Sequence, residues 1–166
     1  MIKIRKATAK DIPDIQAVAN EAWPQAFAQI LAPQQIQYMM EMMYSHDALW
    51  EQIVTKGHMF YIASKDDTPI GYISIEHNCD NSGKTKIHKA YIIPECRRMG
   101  LGRMMFDKAI EEARGVKSSA VFLNVNKHNN SAIAFYNKSG FDLVKEEVID
   151  IDNGFVMDDY VFEKRL

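Results

Sequence analysis

The residues with the clearest chemical potential form a turn rich in glycine and arginine at residues 94–103. An apolar run that predicts a strand precedes this turn, and an amphipathic run that predicts a helix follows it. Gly100 and Gly102 let the backbone approach a ligand closely, and a helix N-terminus offers unpaired N–H groups with partial positive charge. The same turn carries three cationic side chains, Arg97, Arg98 and Arg103. Such chemistry suits a diphosphate.

Other phosphate-binding motifs do not fit this turn. No Gly-Lys-Ser/Thr sequence of a P-loop is present, and the dinucleotide fingerprint Gly-x-Gly-x-x-Gly fails because position 105 is Met105. Taken alone, Gly100 and Gly102 are equally compatible with a plain connection between a strand and a helix, with solvated arginines around it.

The elements that must position this turn follow from apolar spacing and turn residues. The predicted helices cover about residues 12–22, 33–43, 46–56, 100–114 and 130–139. The predicted strands are a short one at Ile2 and Ile4, residues 58–64 and 69–77, a run ending at 90–94, residues 120–125, and two segments flanking a turn at 152–154. The inward face of the helix at 100–114 is predicted to carry Leu101, Met104, Met105, Ala109 and Ala113. This order predicts an α/β protein with a mixed sheet covered on both faces.

Two motifs together resemble a known family. Arg97-x-x-Gly100-x-Gly102, after a strand that ends in Pro94, resembles the coenzyme-binding signature of the GNAT superfamily of N-acetyltransferases. The second half of that signature is Leu123-x-Val125-x-x-x-Asn129-x-x-Ala132-x-x-Phe135-Tyr136-x-x-x-Gly140-Phe141. The resemblance spans about residues 1–166 as a single domain and is strongest from Lys89 to Phe141. It implies a central, mostly antiparallel mixed sheet of six to seven strands, helices on both faces, and a splay between two parallel central strands.

The resemblance also implies a co-substrate, acetyl-CoA, and the residues that bind it. Pantetheine would lie in the splay along Tyr91, Ile92 and Ile93. The pyrophosphate would lie beside Arg97, on the amides of Arg98, Met99, Gly100, Leu101, Gly102 and Arg103. Asn129 would contact the coenzyme, although asparagine is also a preferred helix N-cap. Tyr136 would be the general acid, although an aromatic residue beside Phe135 can also simply fill the core.

The implied reaction is direct transfer of acetyl to an amine within a ternary complex, without an acyl-enzyme. The amine must lose a proton, and the candidate bases are Glu76, His77 and His88, of which we favour Glu76. Strand alternation places Glu76 and His77 on opposite sides of the sheet. We expect no metal site, because the spacing of His77, Cys79, His88 and Cys96 matches no compact zinc pattern.

The acceptor is expected to be a primary amine of a small molecule, such as a polyamine or an amino-acid-like compound. A polyamine would need carboxylates near the cleft, and the chain offers Glu21, Glu41, Glu76, Asp150, Asp152, Asp158 and Asp159. The segments 38–45 and 154–160 are loosely similar to those of bacterial acetyltransferases of the spermidine/spermine type. Acetylation of a protein lysine or N-terminus stays open as an alternative. A non-catalytic acyl-CoA-binding module is a second alternative, against which Tyr136 counts because a pure binder needs no proton donor.

Composition excludes several other classes of function. The 166 residues carry a formal net charge of -2, which provides no overall attraction to nucleic acid or anionic membranes. The first residues lack the apolar core of a signal peptide, so we expect a cytoplasmic protein with Cys79 and Cys96 as free thiols. Dimers are frequent in the superfamily, which leaves a homodimer open.

Overall fold

The computed structural model describes all residues, Met1–Leu166. Its strands are β1 (Ile2–Lys6), β2 (Met59–Lys65), β3 (Thr68–Glu76), β4 (Thr85–Ile92), β5 (Ala120–Asn126), β6 (Asp142–Asp150) and β7 (Val156–Arg165). Its helices are α1 (Ile12–Phe27), α2 (Pro33–Tyr44), α3 (His46–Trp50), α4 (Leu101–Gly115) and α5 (Asn130–Lys138). A π-helical turn, Glu51–Thr55, extends α3. Every predicted helix and strand is therefore present.

All seven strands form one sheet in the order β1-β2-β3-β4-β5-β7-β6. The pair β4 and β5 is parallel, and the other neighbouring pairs are antiparallel. The parallel pairing covers only residues 85–87 of β4 against residues 121–123 of β5. Beyond it, β4 stays paired with β3 as far as Ile92, and β5 stays paired with β7 as far as Asn126. The two central strands therefore part in their second halves, and the predicted splay is confirmed.

A β-bulge on β4 adjoins the start of this gap. The partner of Ser74 is Lys89 and the partner of Ile75 is Ile87, so His88 has no partner on β3. Bulges bend a strand and re-aim side chains, and they are common beside active sites. His88 is also the first residue of β4 beyond the last pair with β5.

Alternation along the strands builds two cores, one on each face of the sheet. Phe60, Ile62 and Tyr72 pack with residues of α1–α3, whereas Tyr61 and Ile73 pack with residues of α4 on the other face. The predicted coverage of both faces is confirmed. None of the helices combines the length and apolar character that crossing a membrane requires.

One prediction about α4 is wrong, because Met104 is 41% exposed rather than inward. The buried face of the helix consists of Leu101, Met105, Phe106, Ala109, Ile110 and Ala113. At about 100° per residue, Met104 points about 150° away from the centre of that arc. Phe106 and Ile110 extend the buried arc on the side away from Met104.

Candidate active site

The turn before α4 leaves a row of backbone donors without partners. Gly100 is the N-cap of α4 and has a φ of 76°, and Arg98 adopts a φ of 66°. Both residues are thus in the left-handed region, which bends the chain sharply into the helix. None of the six amides of residues 98–103 donates a hydrogen bond to another backbone group. Together with the positive end of the helix dipole, these amides form an anion site.

The surroundings of this turn also favour a diphosphate. The side chains of Arg97, Arg98 and Arg103 are exposed, and none of them forms an ion pair within the chain. A Cβ at Gly102 would lie 3.7 Å from Ile92 and from Phe135. Gly102 therefore lies beside β4 on one side and α5 on the other. The turn joins the gap between β4 and β5 to the start of α4.

The side chains of the last residues of β4 alternate between the two faces of the sheet. Tyr91 packs on the α1–α3 face, where its ring centroid is 6.3 Å from those of both Trp23 and Phe27. Ile92 packs with the core on the α4 face. Ile93 follows the strand, and its amide donates to the carbonyl of Ile70 at 2.9 Å. The amide of Ile93 is therefore already engaged, although its carbonyl can still accept.

Tyr136 lies on α5 in an aromatic cluster. Its ring centroid is 5.6 Å from that of Phe106, 5.8 Å from that of Phe141 and 6.0 Å from that of Phe162. Burial raises the pKa of Tyr136 to about 12, so its hydroxyl keeps its proton at neutral pH. Burial and the nearby Tyr136 also raise the pKa of Tyr91. Tyr136 packs with the core on the α4 face and Tyr91 with the core on the α1–α3 face.

Asn129 is the N-cap of α5. Its side-chain Oδ1 accepts a hydrogen bond from the amide of Ala132 at 3.4 Å and another from the hydroxyl of Ser131 at 3.3 Å. The capping role that asparagine suggested is confirmed. The side-chain amide nitrogen of Asn129 keeps its donors free for a ligand.

Glu76 lies in a cluster with two histidines at the beginning of the gap. Its Oε1 is 2.9 Å from Nε2 of His88 and 3.4 Å from Nε2 of His58. The two imidazole rings stack, with centroids 4.2 Å apart and planes tilted by 13°. Strand alternation separates His77 from this cluster, and its Nδ1 lies 2.8 Å from the hydroxyl of Thr85. His58 was not predicted as a site residue, because its contacts with Glu76 and His88 depend on the register between neighbouring strands.

Both histidines of this cluster are held in the neutral form. Burial lowers the pKa of His88 to about 3, and the hydrogen bond with Glu76 only partly opposes this shift. Burial also lowers the pKa of His58. Partial burial raises the pKa of Glu76, but hydrogen bonding with His88 and with Cys79 brings it below its ordinary value. At neutral pH, an ionised Glu76 therefore faces two uncharged imidazoles.

The same three side chains place their potential metal-ligating atoms within 4.8 Å of one another. A metal ion is bound in the plane of each imidazole, along the lone pair of its nitrogen. Since the two rings lie in nearly parallel planes, no single ion can lie in the plane of both. The arrangement is therefore a hydrogen-bonded cluster and not a preformed metal centre.

The α1–α3 face of the sheet is covered near the gap. The Tyr38 hydroxyl of α2 donates to the carbonyl of Ile151 at 2.7 Å, and the Gln35 side chain donates to the carbonyl of Val156 at 2.9 Å. The Tyr38 ring also packs against Phe155, with centroids 5.4 Å apart. These contacts join α2 to the turn between β6 and β7. The helix and the turn together cover this part of the face.

A groove with a volume of about 800 Å³ lies elsewhere, between α1 and α2. Its lining consists of Gln16, Asn20, Pro24, Ala28, Pro33, Ile36, Gln37, Met40, Glu41, Tyr44 and Ser45. None of these residues belongs to β4, β5 or α4, so the groove does not reach the phosphate turn. We therefore place the chemistry at the gap between β4 and β5.

A seven-stranded mixed sheet with a gap between its parallel strands, ending at a glycine turn of free amides, defines a class of acetyl-CoA-dependent acyltransferases. Residues 15–141 match the model of the acetyltransferase (GNAT) family, and the chain belongs to that family. It is a GNAT N-acetyltransferase whose co-substrate is acetyl-CoA.

Three relatives resemble the chain over nearly its full length. An uncharacterized N-acetyltransferase of Lactobacillus delbrueckii is 28% identical over 89% of this chain and 88% of the relative. A spermidine N(1)-acetyltransferase of Thermoplasma acidophilum is 26% identical over 99% of this chain and 97% of the relative. The crystal structure of the PaiA N-acetyltransferase of Thermoplasma acidophilum in complex with coenzyme A superposes with a TM-score of 0.85. The two sequences are 25% identical, over 100% of this chain and 99% of that one.

Proposed function

We propose that this enzyme transfers acetyl from acetyl-CoA to a primary amine of a small molecule, with polyamines as the leading class of acceptor. The observation that carries the proposal is the row of six unpaired amides at residues 98–103, at the end of the gap between β4 and β5. These amides and the three arginines bind the diphosphate. Residues 91–93 then guide the pantetheine arm toward the start of the gap. Asn129 contributes its free side-chain amide.

The residues beside the gap supply the groups that acyl transfer requires. Beyond Ile87, the amides of β4 that face β5 have lost their ladder partners and can polarise the acetyl carbonyl. The amine attacks that carbonyl, and the carbon–sulfur bond breaks. Tyr136 gives its proton to the departing thiolate, because burial keeps the hydroxyl protonated. No covalent acyl-enzyme is required.

Glu76 and His88 form the route by which the attacking amine loses its proton. His88 stands at the bulge where the gap begins, and its Nε2 is bonded to Glu76. With Nε2–H donating to the carboxylate, Nδ1 of His88 presents a lone pair. His88 can pass a proton on but cannot hold it at neutral pH, whereas Glu76 is partly exposed and can exchange with water.

We place the acceptor on the α1–α3 face of the sheet, and the covering of that face by α2 and the β6–β7 turn favours a small acceptor. A peptide substrate needs a shallow open groove, whereas α2 is joined by hydrogen bonds to the β6–β7 turn across the α1–α3 face. The Thermoplasma relative is named for spermidine, which is a small polyamine. The alternatives are a protein lysine or N-terminus as acceptor, and a module that binds acyl-CoA without catalysis.

An acceptor panel tests the proposal. We would measure acetyl-CoA consumption with spermidine, free amino acids, an aminoglycoside and a lysine-containing peptide. Consumption with spermidine or an amino acid, and little with the peptide, supports the proposal. Turnover with the peptide alone would favour protein acetylation. Coenzyme binding without turnover on any amine would favour the regulatory module.

Replacement of Glu76 with Gln tests the proton route. We expect kcat/KM at neutral pH to fall by about 10²-fold or more. The loss should shrink as the pH rises toward the pKa of the amine, because the amine then arrives unprotonated. His77→Gln is the matched control, since its ring lies on the other face beside Thr85. An equal loss for Glu76→Gln at every pH would contradict a role in proton transfer.

A further inference from the structure

Asp159 is a buried carboxylate without a cationic partner. The residue is 1% exposed and pairs across the sheet with Asn126 of β5. Its Oδ2 accepts a hydrogen bond from the Asn124 side chain at 3.3 Å, whereas its Oδ1 has no partner at all. The neighbouring Asp158 is more exposed and holds Lys127 at 2.9 Å. The nearby lysine therefore neutralises the exposed aspartate and not the buried one.

An unpaired buried carboxylate is unfavourable. A buried charge without a counter-charge is destabilising, unless a partner is supplied or the group takes up a proton. Asn124 also donates to Glu147 at 2.9 Å, so its side-chain amide is shared between two carboxylates. Lys86 is close enough to act on Asp159 electrostatically, but it lies over the ring of Phe122 and makes no ion pair with Asp159. Glu147 is itself paired with Lys145 at 2.8 Å. Asp159 is therefore the carboxylate at this point that has no ion pair.

The Asp159 carboxylate borders the gap on the α1–α3 face of the sheet. The β5 segment Asn124–Asn126 lies beyond the last pair with β4, and Asp159 is on the strand directly behind that segment. Met157, two residues before Asp159, packs with the core on the α1–α3 face, so Asp159 points to that face as well. Tyr91 lies on the same face of β4. Asp159 and Tyr91 therefore flank the gap from its two sides, on the face opposite Tyr136.

We propose that Asp159 binds an ammonium group of a diamine or polyamine acceptor through Oδ1, while a second amino group of the same molecule reaches the thioester in the gap. The substrate then supplies the cation that the chain itself does not. This assignment rests on the proposed function and makes Asp159 a determinant of specificity for acceptors with two or more charges. Oδ1 of Asp159 is buried, so the side chains around it must move to admit the ammonium group.

The test compares 1,4-diaminobutane with n-butylamine, which has the same carbon chain but one amino group. In the unmodified enzyme we expect kcat/KM for the diamine to exceed that for the monoamine by at least tenfold. Asp159→Asn should raise KM for the diamine by 10- to 100-fold and leave KM for n-butylamine and for acetyl-CoA unchanged. Asp158→Asn is the matched control, because it removes one charge from the adjacent residue and should leave the ratio of the two amines intact.

Several results would overturn the assignment. Equal kcat/KM for the two amines in the unmodified enzyme would do so without any variant, which guards against an Asp159→Asn protein that does not fold. An equal loss for both amines in Asp159→Asn would indicate a structural role. If no amine at all is acetylated, the proposed function fails separately. Calorimetry of 1,4-diaminobutane binding in the presence of coenzyme A would then decide about Asp159, with absence of binding counting against it.

Discussion

Replacement of Tyr136 with Phe isolates the proton-donor step from the rest of the reaction. Burial is the only cause of the raised pKa of Tyr136, and its hydroxyl has no hydrogen-bond acceptor within the chain. Removal of this hydroxyl therefore leaves no partner unsatisfied. The ring contacts with Phe106, Phe141 and Phe162 remain possible for phenylalanine. The substitution thus changes the chemistry of the site and little else.

The expected magnitudes follow from this environment. Loss of a general acid lowers the rate by about 10²–10⁴-fold, which corresponds to roughly 2.7–5.5 kcal/mol of transition-state stabilisation. We expect the free energy of unfolding to change by less than about 0.5 kcal/mol, because no cavity and no orphaned polar group is created. Coenzyme affinity should stay the same, since we propose that the diphosphate binds at residues 98–103 and not at Tyr136.

The assay should follow the loss of thioester absorbance and not the release of thiol. Cys96 is a half-buried free cysteine within the turn at residues 94–103 and would itself consume a thiol reagent. Single-turnover measurements separate chemistry from product release. Tyr160→Phe is the control, because Tyr160 is another half-buried tyrosine, beside Phe162 on β7.

An unchanged single-turnover rate in Tyr136→Phe would remove Tyr136 from the mechanism. A loss of coenzyme affinity equal to the loss of rate would also refute the reasoning, since it would make Tyr136 a binding residue. A comparable effect in Tyr160→Phe would show that the assay reports general damage to the α4 face.

Two further sites give predictions of a different kind. Arg98→Glu should weaken coenzyme A binding roughly tenfold in low salt and make the remaining binding less salt-dependent by calorimetry. Arg98→Gly should raise the free energy of unfolding in urea by roughly 0.5–1 kcal/mol, because Arg98 has a φ of 66°; a decrease would contradict strain at this position. Burial lowers the pKa of Lys89 to about 8. Its Nζ donates one hydrogen bond, to Oε1 of Gln52 at 2.8 Å. Between pH 8 and 9.5 the unfolded chain binds more protons at Lys89 than the folded chain does. The free energy of unfolding of the wild type should therefore rise over this range by up to about 2 kcal/mol relative to Lys89→Met. Parallel plots of unfolding free energy against pH for the two proteins would refute the lowered pKa of Lys89.

The parts of the site that depend on local sequence could be predicted. The turn at 94–103 and the cap at Asn129 each rest on residues close in the chain, and both are present. Strand alternation also placed Glu76 and His77 on opposite faces correctly. The spacing of apolar residues was sufficient to predict every helix and strand. It misjudged only which face of α4 is buried, and so placed the exposed Met104 inside.

The parts of the site that could not be predicted depend on register between strands that are distant in sequence. His58 lies beside Glu76 because of the register between β2 and β3. His88 joins them at a bulge on β4, and no periodicity reveals a bulge. Asp158 and Asp159 are chemically identical neighbours, yet pairing with β5 buries only the second. Sequence alone therefore offered both as equal acceptor candidates.

Two different groups beside the gap act on the two ends of the acceptor. Asp159 binds the charged end, and His88 with Glu76 removes the proton from the reacting end. Asp159 attracts a positive charge, but the amine that reacts must be neutral, so the same carboxylate cannot serve both ends of a diamine. His88, with a pKa of about 3, cannot store the proton that the reacting end loses. Glu76, whose pKa is also below its ordinary value, does not store it either, so the proton must pass on to water. Activity should consequently rise with pH along the ionisation of the amine, and not along that of any group in this cluster.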